Sequence, residues 1–327
     1  MNQTSQTKTQ KEGALCITGI DELQQLAKKF RDSEEFQRML DFVAKFNYLA
    51  PYNAYLVQLQ RPGSYLVLTI KQWEQWGWRP TVNAQNIITL VPFGPIQCLY
   101  EVSDVEQIPN RPCAPKDYIL EHLRRGLNNA RGEVNAKEWD NLMFNLSQYG
   151  VRLDLQFDAA NSFGGYIMPD DGDHDLRVVL NVDGDATIVK SAFFISVNVK
   201  QSRASQFHTI CHELGHLFCR HLSYSFKRRR FPLSKQQEEF EAETVAWLVC
   251  KRHGVSNPSE EYLAGYIEDG LVPECSPDNI MRAVTEIEKM LKKPLMAKQT
   301  IRYKEDNGFK EQVDQLLQEF KKNRKLS

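Results

Sequence analysis

No stretch of this chain approaches about eighteen consecutive apolar residues, so no membrane-spanning helix is expected. Net charge is nearly absent as well: 41 Lys and Arg stand against 42 Asp and Glu, a balance of −1. Any attraction to nucleic acid or to a membrane surface must then come from a local face rather than from a global field. Paired cysteines are also lacking. The 327 residues hold seven cysteines, an odd number, with no Cys-x-x-Cys pair. That excludes a small disulfide scaffold and predicts free, mostly buried thiols in a reducing, cytoplasmic setting. The first twelve residues have no apolar core of the kind a signal peptide needs, and residues 1–14 read as a disordered tail. There is no internal repeat and no low-complexity block. What remains is ordinary globular composition, 42% hydrophobic and 25% charged. It suffices for a substantial core in one large or two smaller domains.

Apolar residues from Ile20 to Tyr48 recur at helical steps, broken at Asp32-Ser33-Glu34-Glu35, where acids in a first turn announce a new helix. Asn53–Gln60 predicts a further short helix. The period then changes. Tyr65–Thr69, Ile87–Pro92 and Gln97–Val102 read as strands, the last two joined by a turn at Phe93-Gly94-Pro95, and Lys71–Trp78 as a tryptophan-rich helix or irregular segment. Pro109, Pro112 and Pro115 mark residues 103–116 as the best linker. Beyond it, helices are expected at Tyr118–Ala130, Glu138–Gln148, Ser202–Leu222 and Lys235–Arg252, and strands at Val151–Phe157, from Gly164 to Ile167, and at Leu176–Val182, with a turn at Asp170–Asp173. The pattern predicts an α+β chain. A helix-plus-antiparallel-sheet domain at 15–112 precedes a second domain at 113–327, with a short mixed sheet and charged C-terminal helices.

The residues that carry chemistry are His212-Glu213-Leu214-Gly215-His216. On a helix, the i and i+4 spacing sets both imidazoles on one face, one turn apart, where they can grip a single metal ion. Glu213 projects beside that position and can take a proton from water that the metal acidifies. Phe207, Ile210, Cys211, Leu214, Leu217 and Phe218 supply apolar cover, and Gly215 permits close approach of another segment. Cys211 and Cys219 read as buried hydrophobes rather than ligands.

A catalytic zinc site takes three protein ligands, so a third is needed. Glu239 and Glu243 are i and i+4 on a later helix whose other side is apolar. One can bind metal while the other supports a ligand histidine. Glu239 is the favoured ligand, and the reverse assignment stays open. His208 lies one turn before His212 on the same face and is either a group that supports the ligands from behind, an alternative ligand, or a satisfied histidine outside the ligand set. His221 and Tyr224, just past the helix, are candidates to meet an oxyanion.

The run from Arg203 to His216, followed by Glu239-x-x-Ala242-x-x-x-Ala246, resembles the ImmA/IrrE zincin-like metallopeptidases. The resemblance matches Glu239 to that family's ligand glutamate, with Glu243 standing where the family usually has Asn. It implies Zn²⁺ as cofactor, hydrolysis of a protein substrate such as a repressor or other DNA-associated protein, and an edge strand for extended substrate, for which Leu176–Val182 is the candidate. Asn53–Gly63, Gln72-Trp73 with Gly77, and Ile87–Pro92 resemble the N-terminal domain of ArdC-type antirestriction proteins. That implies single-stranded DNA as a partner, and an alternative in which the metal site is structural or regulatory.

Single-strand binders combine a basic groove with stacking aromatics. Between Phe30 and Pro112 aromatics abound, yet seven basic residues face eight acidic ones. Arg61, Lys71, Trp73 and Arg79 are the candidate DNA contacts. Lys227–Arg230 is a solvated basic loop or a phosphate contact, and Phe309–Phe320 an amphipathic helix suited to docking on the body or on a partner.

Overall fold

The computed structural model describes residues 32–91, 96–125, 132–157, 164–170, 176–222, 232–256 and 263–297, with isolated positions between 315 and 322. The helix read before Phe30, the Phe93–Pro95 turn, most of the Asp170–Asp173 turn, Tyr224, Lys227–Arg230 and nearly all of Phe309–Phe320 lie outside the described residues.

Helix α1, Ser33–Lys45, starts where Asp32 accepts the Glu35 N–H as N-cap, with acids in the first turn as the dipole favours. It buries Phe36, Met39, Leu40 and Val43, one stripe at steps of three and four. Helix α2, Pro51–Gln60, opens on a proline that needs no N–H there. Strand β1 (Val67–Leu68) leads into α3 (Ile70–Gln75), closed by a Thr69–Gln72 capping box. Strands β2 (Trp78–Pro80), β3 (Asn86–Thr89), β4 (Gln97–Glu101) and β5 (Val105–Gln107) follow. They form two small antiparallel sheets, β1-β4-β3 and β2-β5.

The proline-rich stretch is not a loose tether. It contributes β5 and is tied back by Ile108 N–H to Gly77 O at 3.0 Å, Ala114 N–H to Trp76 O at 3.0 Å and Trp78 Nε1 to Ala114 O at 2.9 Å. Gly77, at φ +83°, passes so close that a Cβ would lie 2.2 Å from Pro112 O.

Helices α4 (Lys116–Arg125) and α5 (Ala136–Gln148) precede β6 (Val151–Phe157), β7 (Gly165–Pro169), β8 (Leu176–Leu180), β9 (Ala186–Lys190) and β10 (Phe193–Asn198). β10 is central in a mixed sheet, parallel to β6 and antiparallel to β7, while β8 and β9 pair only with each other among the described residues. Helices α6 (Arg203–Phe218), α7 (Lys235–His253) and α8 (Pro277–Lys292) complete the fold, which is α+β. No helix among the described residues is long and apolar enough to cross a membrane.

Two cores result. Leu66, Leu68, Trp73, Val105, Ile119 and Leu120 form the smaller. The larger joins α1 and α2 to α5, β10, α6, α7 and α8. Within it, Arg252 at the end of α7 donates to Val43 O at 2.6 Å and Leu49 O at 2.8 Å, and pairs with Glu288 of α8.

Candidate metal centre

Ser202 caps α6, accepting the Ser205 N–H at 3.2 Å, and a Ser234–Gln237 capping box starts α7. Phe207, Ile210, Cys211 and Leu214 bury one face of α6, which turns His208, His212 and His216 toward α7. The two helices meet at Gly215. A Cβ there would lie 3.0 Å from Ala242 Cα, 3.1 Å from Ala242 O and 3.3 Å from Val245 Cβ. Gly215→Ala is therefore expected to part the helices. Overpacking costs about 1–3 kcal/mol, against a gain in helix propensity of about 1 kcal/mol. Lower thermal stability and weaker zinc uptake, read by melting and by zinc titration, are the expected results.

That contact carries Glu239 to the histidines. His212 Nε2 lies 3.1 Å from His216 Nε2, and Glu239 Oε2 lies 3.4 Å from the first and 3.5 Å from the second. Four ligands at about 2.0–2.2 Å around a tetrahedral ion are roughly 3.3–3.6 Å apart. The three donor atoms have nearly that spacing, and their two-nitrogen, one-carboxylate chemistry suits zinc. The residues present thus fit a divalent cation. The two imidazoles hold the Glu239 carboxyl well below its ordinary range, so it is an anion ready for a cation.

The back of each imidazole is engaged. His212 Nδ1 is 2.9 Å from Glu243 Oε2, and His208 Nε2 is 3.3 Å from the other Glu243 oxygen. Burial alone would raise the Glu243 carboxyl, but the bonds from His208 and His212 win and hold it low. Glu243 faces the far side of His212 and Glu239 faces the near side. His208 touches Glu243 rather than the three donors.

His216 Nδ1 is 2.9 Å from His221 Nδ1, and His221 Nε2 is 3.0 Å from Glu241 Oε2. A helix-ending turn makes this contact. Arg220 adopts φ 64°, its N–H reaches Leu217 O at 3.2 Å, and the His221 N–H reaches His216 O at 2.9 Å. Those two bonds define a Schellman motif, which folds the residue after the left-handed position back over the last turn. The expectation that His221 meets an oxyanion is thereby corrected: its side chain is 2% exposed and lies behind His216.

Glu213 is buried, and the Ile167 backbone N–H of β7 donates to its carboxylate. Burial raises its pKa, while His212 and His216 pull it down. β7 packs directly on α6, for a Cβ on Gly165 would lie 2.3 Å from Ser196 O and 2.8 Å from Thr209 Cγ2. The edge strand bordering α6 is thus Gly165–Pro169, not Leu176–Val182, whose residues Leu176–Leu180 pair with β9.

Of the four candidate DNA contacts, three are already engaged within the protein. Trp73 is wholly buried and donates Nε1 to Tyr100 O at 2.9 Å, so it offers no ring to a base. Arg61 is engaged by Asp104 and Ser103, and Arg79 by Glu106 at 2.8 Å. Among the described residues, Lys71 alone of the four is exposed without such a carboxylate partner.

Two residues escape sequence reading. Ile167 acts through its backbone, which no side-chain pattern reveals. Glu241 lies off the face shared by Glu239 and Glu243, and only the turn after α6 brings His221 to it.

Residues 172–254 match the family model of the IrrE N-terminal-like domain, Peptidase_M78. The matched stretch runs from just before β8 to the end of α7. Among solved structures, the metal-free antirestriction protein ArdC from plasmid R388 is similar at 14% identity, with 78% of this chain and 94% of that chain covered and a TM-score of 0.30. Its Mn(II)-bound form is similar at 14% identity, with 78% and 95% covered and a TM-score of 0.31. No curated protein sequence matches this chain.

Proposed function

We propose that this chain is a metallopeptidase, with His212, His216 and Glu239 holding a divalent ion, zinc by donor chemistry, and Glu213 as general base. The observation that carries the reading is the convergence of three donor atoms within 3.1–3.5 Å of one another beside a buried glutamate on the same helix. The match of residues 172–254 to a peptidase family supports the reaction class. A bound divalent ion supplies Lewis acidity toward the scissile carbonyl and acidifies water.

The protein's own residues do the rest. The Ile167 N–H orients the Glu213 carboxylate, which accepts a proton from water and returns it to the leaving amine. Burial raises the affinity of that carboxyl for the proton it must carry. Glu243 and His221 keep the imidazoles turned so that Nε2 faces the ion. An extended protein segment would lie along β7, whose Tyr166 and Met168 side chains are exposed.

Elemental analysis tests the ligand set. One zinc per chain is expected in the wild type, lost in both His212→Ala and Glu239→Ala. Zinc kept in Glu239→Ala and lost in Glu243→Ala would transfer the ligand role. No zinc in the supplemented wild type would overturn the reading.

A further inference from the structure

We propose that His221 and Glu241 form a hydrogen-bond relay that fixes the tautomer of His216, so that its Nε2 lone pair is always the one presented to the metal. Both are positioning residues, and the proposal rests on the metal reading above.

The argument starts at the far end. Glu241 is wholly buried, and its Oε1 accepts the Ser276 N–H at 2.7 Å. Its Oε2 is 3.0 Å from His221 Nε2. A carboxylate that accepts a backbone N–H on one oxygen has an acceptor to offer at the other. His221 Nε2 must then carry hydrogen and donate. A neutral imidazole holds one ring hydrogen, so His221 Nδ1 is bare and can only accept. The atom 2.9 Å away is His216 Nδ1, which must therefore donate. That leaves His216 Nε2 bare, and Nε2 is the atom facing His212 Nε2 and Glu239 Oε2. Each hydrogen position follows from the preceding one, and the chain ends on a lone pair at the metal position. The Schellman turn supplies the geometry, because it brings His221 back over His216. His212 has a shorter version of the same device, with Glu243 directly at Nδ1.

Changing one atom should run the chain backwards. In Glu241→Gln the amide oxygen can still accept the Ser276 N–H, but the amide nitrogen donates to His221 Nε2. The His221 hydrogen moves to Nδ1, His216 Nδ1 must become the acceptor, and its hydrogen transfers to Nε2, blocking the metal. Loss of a group behind a ligand histidine typically weakens metal binding by about 10–100-fold. The same side chains have a competing use, since Cys219, His221 and Glu241 are themselves close enough to hold a cation.

The test uses the full chain loaded with zinc alone, labelled with ¹⁵N at histidine. In the wild type, long-range ¹H–¹⁵N spectra should show hydrogen on His216 Nδ1 and on His221 Nε2, with His216 Nε2 metal-bound. Hydrogen on His221 Nδ1 would overturn the relay without any variant being made. Zinc titration of Glu241→Gln should show a 10–100-fold loss of affinity. Wild-type affinity in that variant would overturn the relay and leave the metal reading intact. No zinc in the wild type would overturn the metal reading and the relay with it. A second zinc per chain, lost in Cys219→Ser, would replace the relay with a second cation site.

Discussion

Glu213→Gln should lose hydrolysis of an unstructured peptide library, read by mass spectrometry, by about 10²–10⁴-fold, while keeping wild-type zinc content. The amide is nearly the same size as the carboxylate and still accepts the Ile167 N–H, so the side chain stays in place. What it loses is the ability to take a proton. Glu213 does not share the three-donor cluster of His212, His216 and Glu239, so removing its charge leaves that cluster whole. Zinc lost together with activity would show that Glu213 holds the site together rather than serving as base. Activity retained in the variant would assign the base elsewhere.

The second large effect lies away from the metal. Glu288→Gln should destabilise the protein by about 3–5 kcal/mol, the range for removing one partner of a buried ion pair. Arg252 and Glu288 are 4% and 3% exposed, so the guanidinium left behind has no access to water. Replacing a buried pair by apolar residues is often harmless, but here the double variant Arg252→Met, Glu288→Leu should not recover. Arg252 also donates to the carbonyls of Val43 and Leu49, and the methionine would take that donor from both. Chemical denaturation of the two variants measures both effects.

The same network sets a pH window. For Glu288, burial alone would raise the pKa, but Arg252 and His253 lower it to about 2. Its contribution is full above the ordinary carboxylate value and is lost as pH falls toward 2. For His253, burial alone would lower the pKa, yet Glu138 and Glu288 raise it from 6.5 to about 9. Its contribution is full below 6.5 and is lost as pH rises through 9. In His253→Gln the decline in melting temperature between those two values should flatten.

Much of this was legible in the sequence because its causes are local. The acids after Asp32 and the four-residue steps linking His212 to His216 and Glu239 to Glu243 all act within one or two turns. The central strand β10 was not expected at all. Five of its six residues are buried, so Phe193–Asn198 lacks the alternation that marks a half-exposed strand. The choice of β8 over β7 as the bordering strand failed for another reason. Which strand lies beside α6 depends on Gly165 admitting a close approach, and neither strand's own pattern records that. The tryptophan-rich segment looked like a stacking platform because composition does not tell a buried ring from an exposed one. Trp73 fills the smaller core.

The glycine contact between α6 and α7 has a mechanical consequence. The proposed metal donors come from just these two helices, and one helical residue is about 1.5 Å of travel. Metal–ligand distances tolerate about 0.2 Å. If α7 slipped along α6 by a single position, Glu239 would overshoot the imidazoles several times over. The seat of Gly215 against Ala242 and Val245 works as a detent that holds the two shafts in register, setting the gauge of the site before any ion arrives.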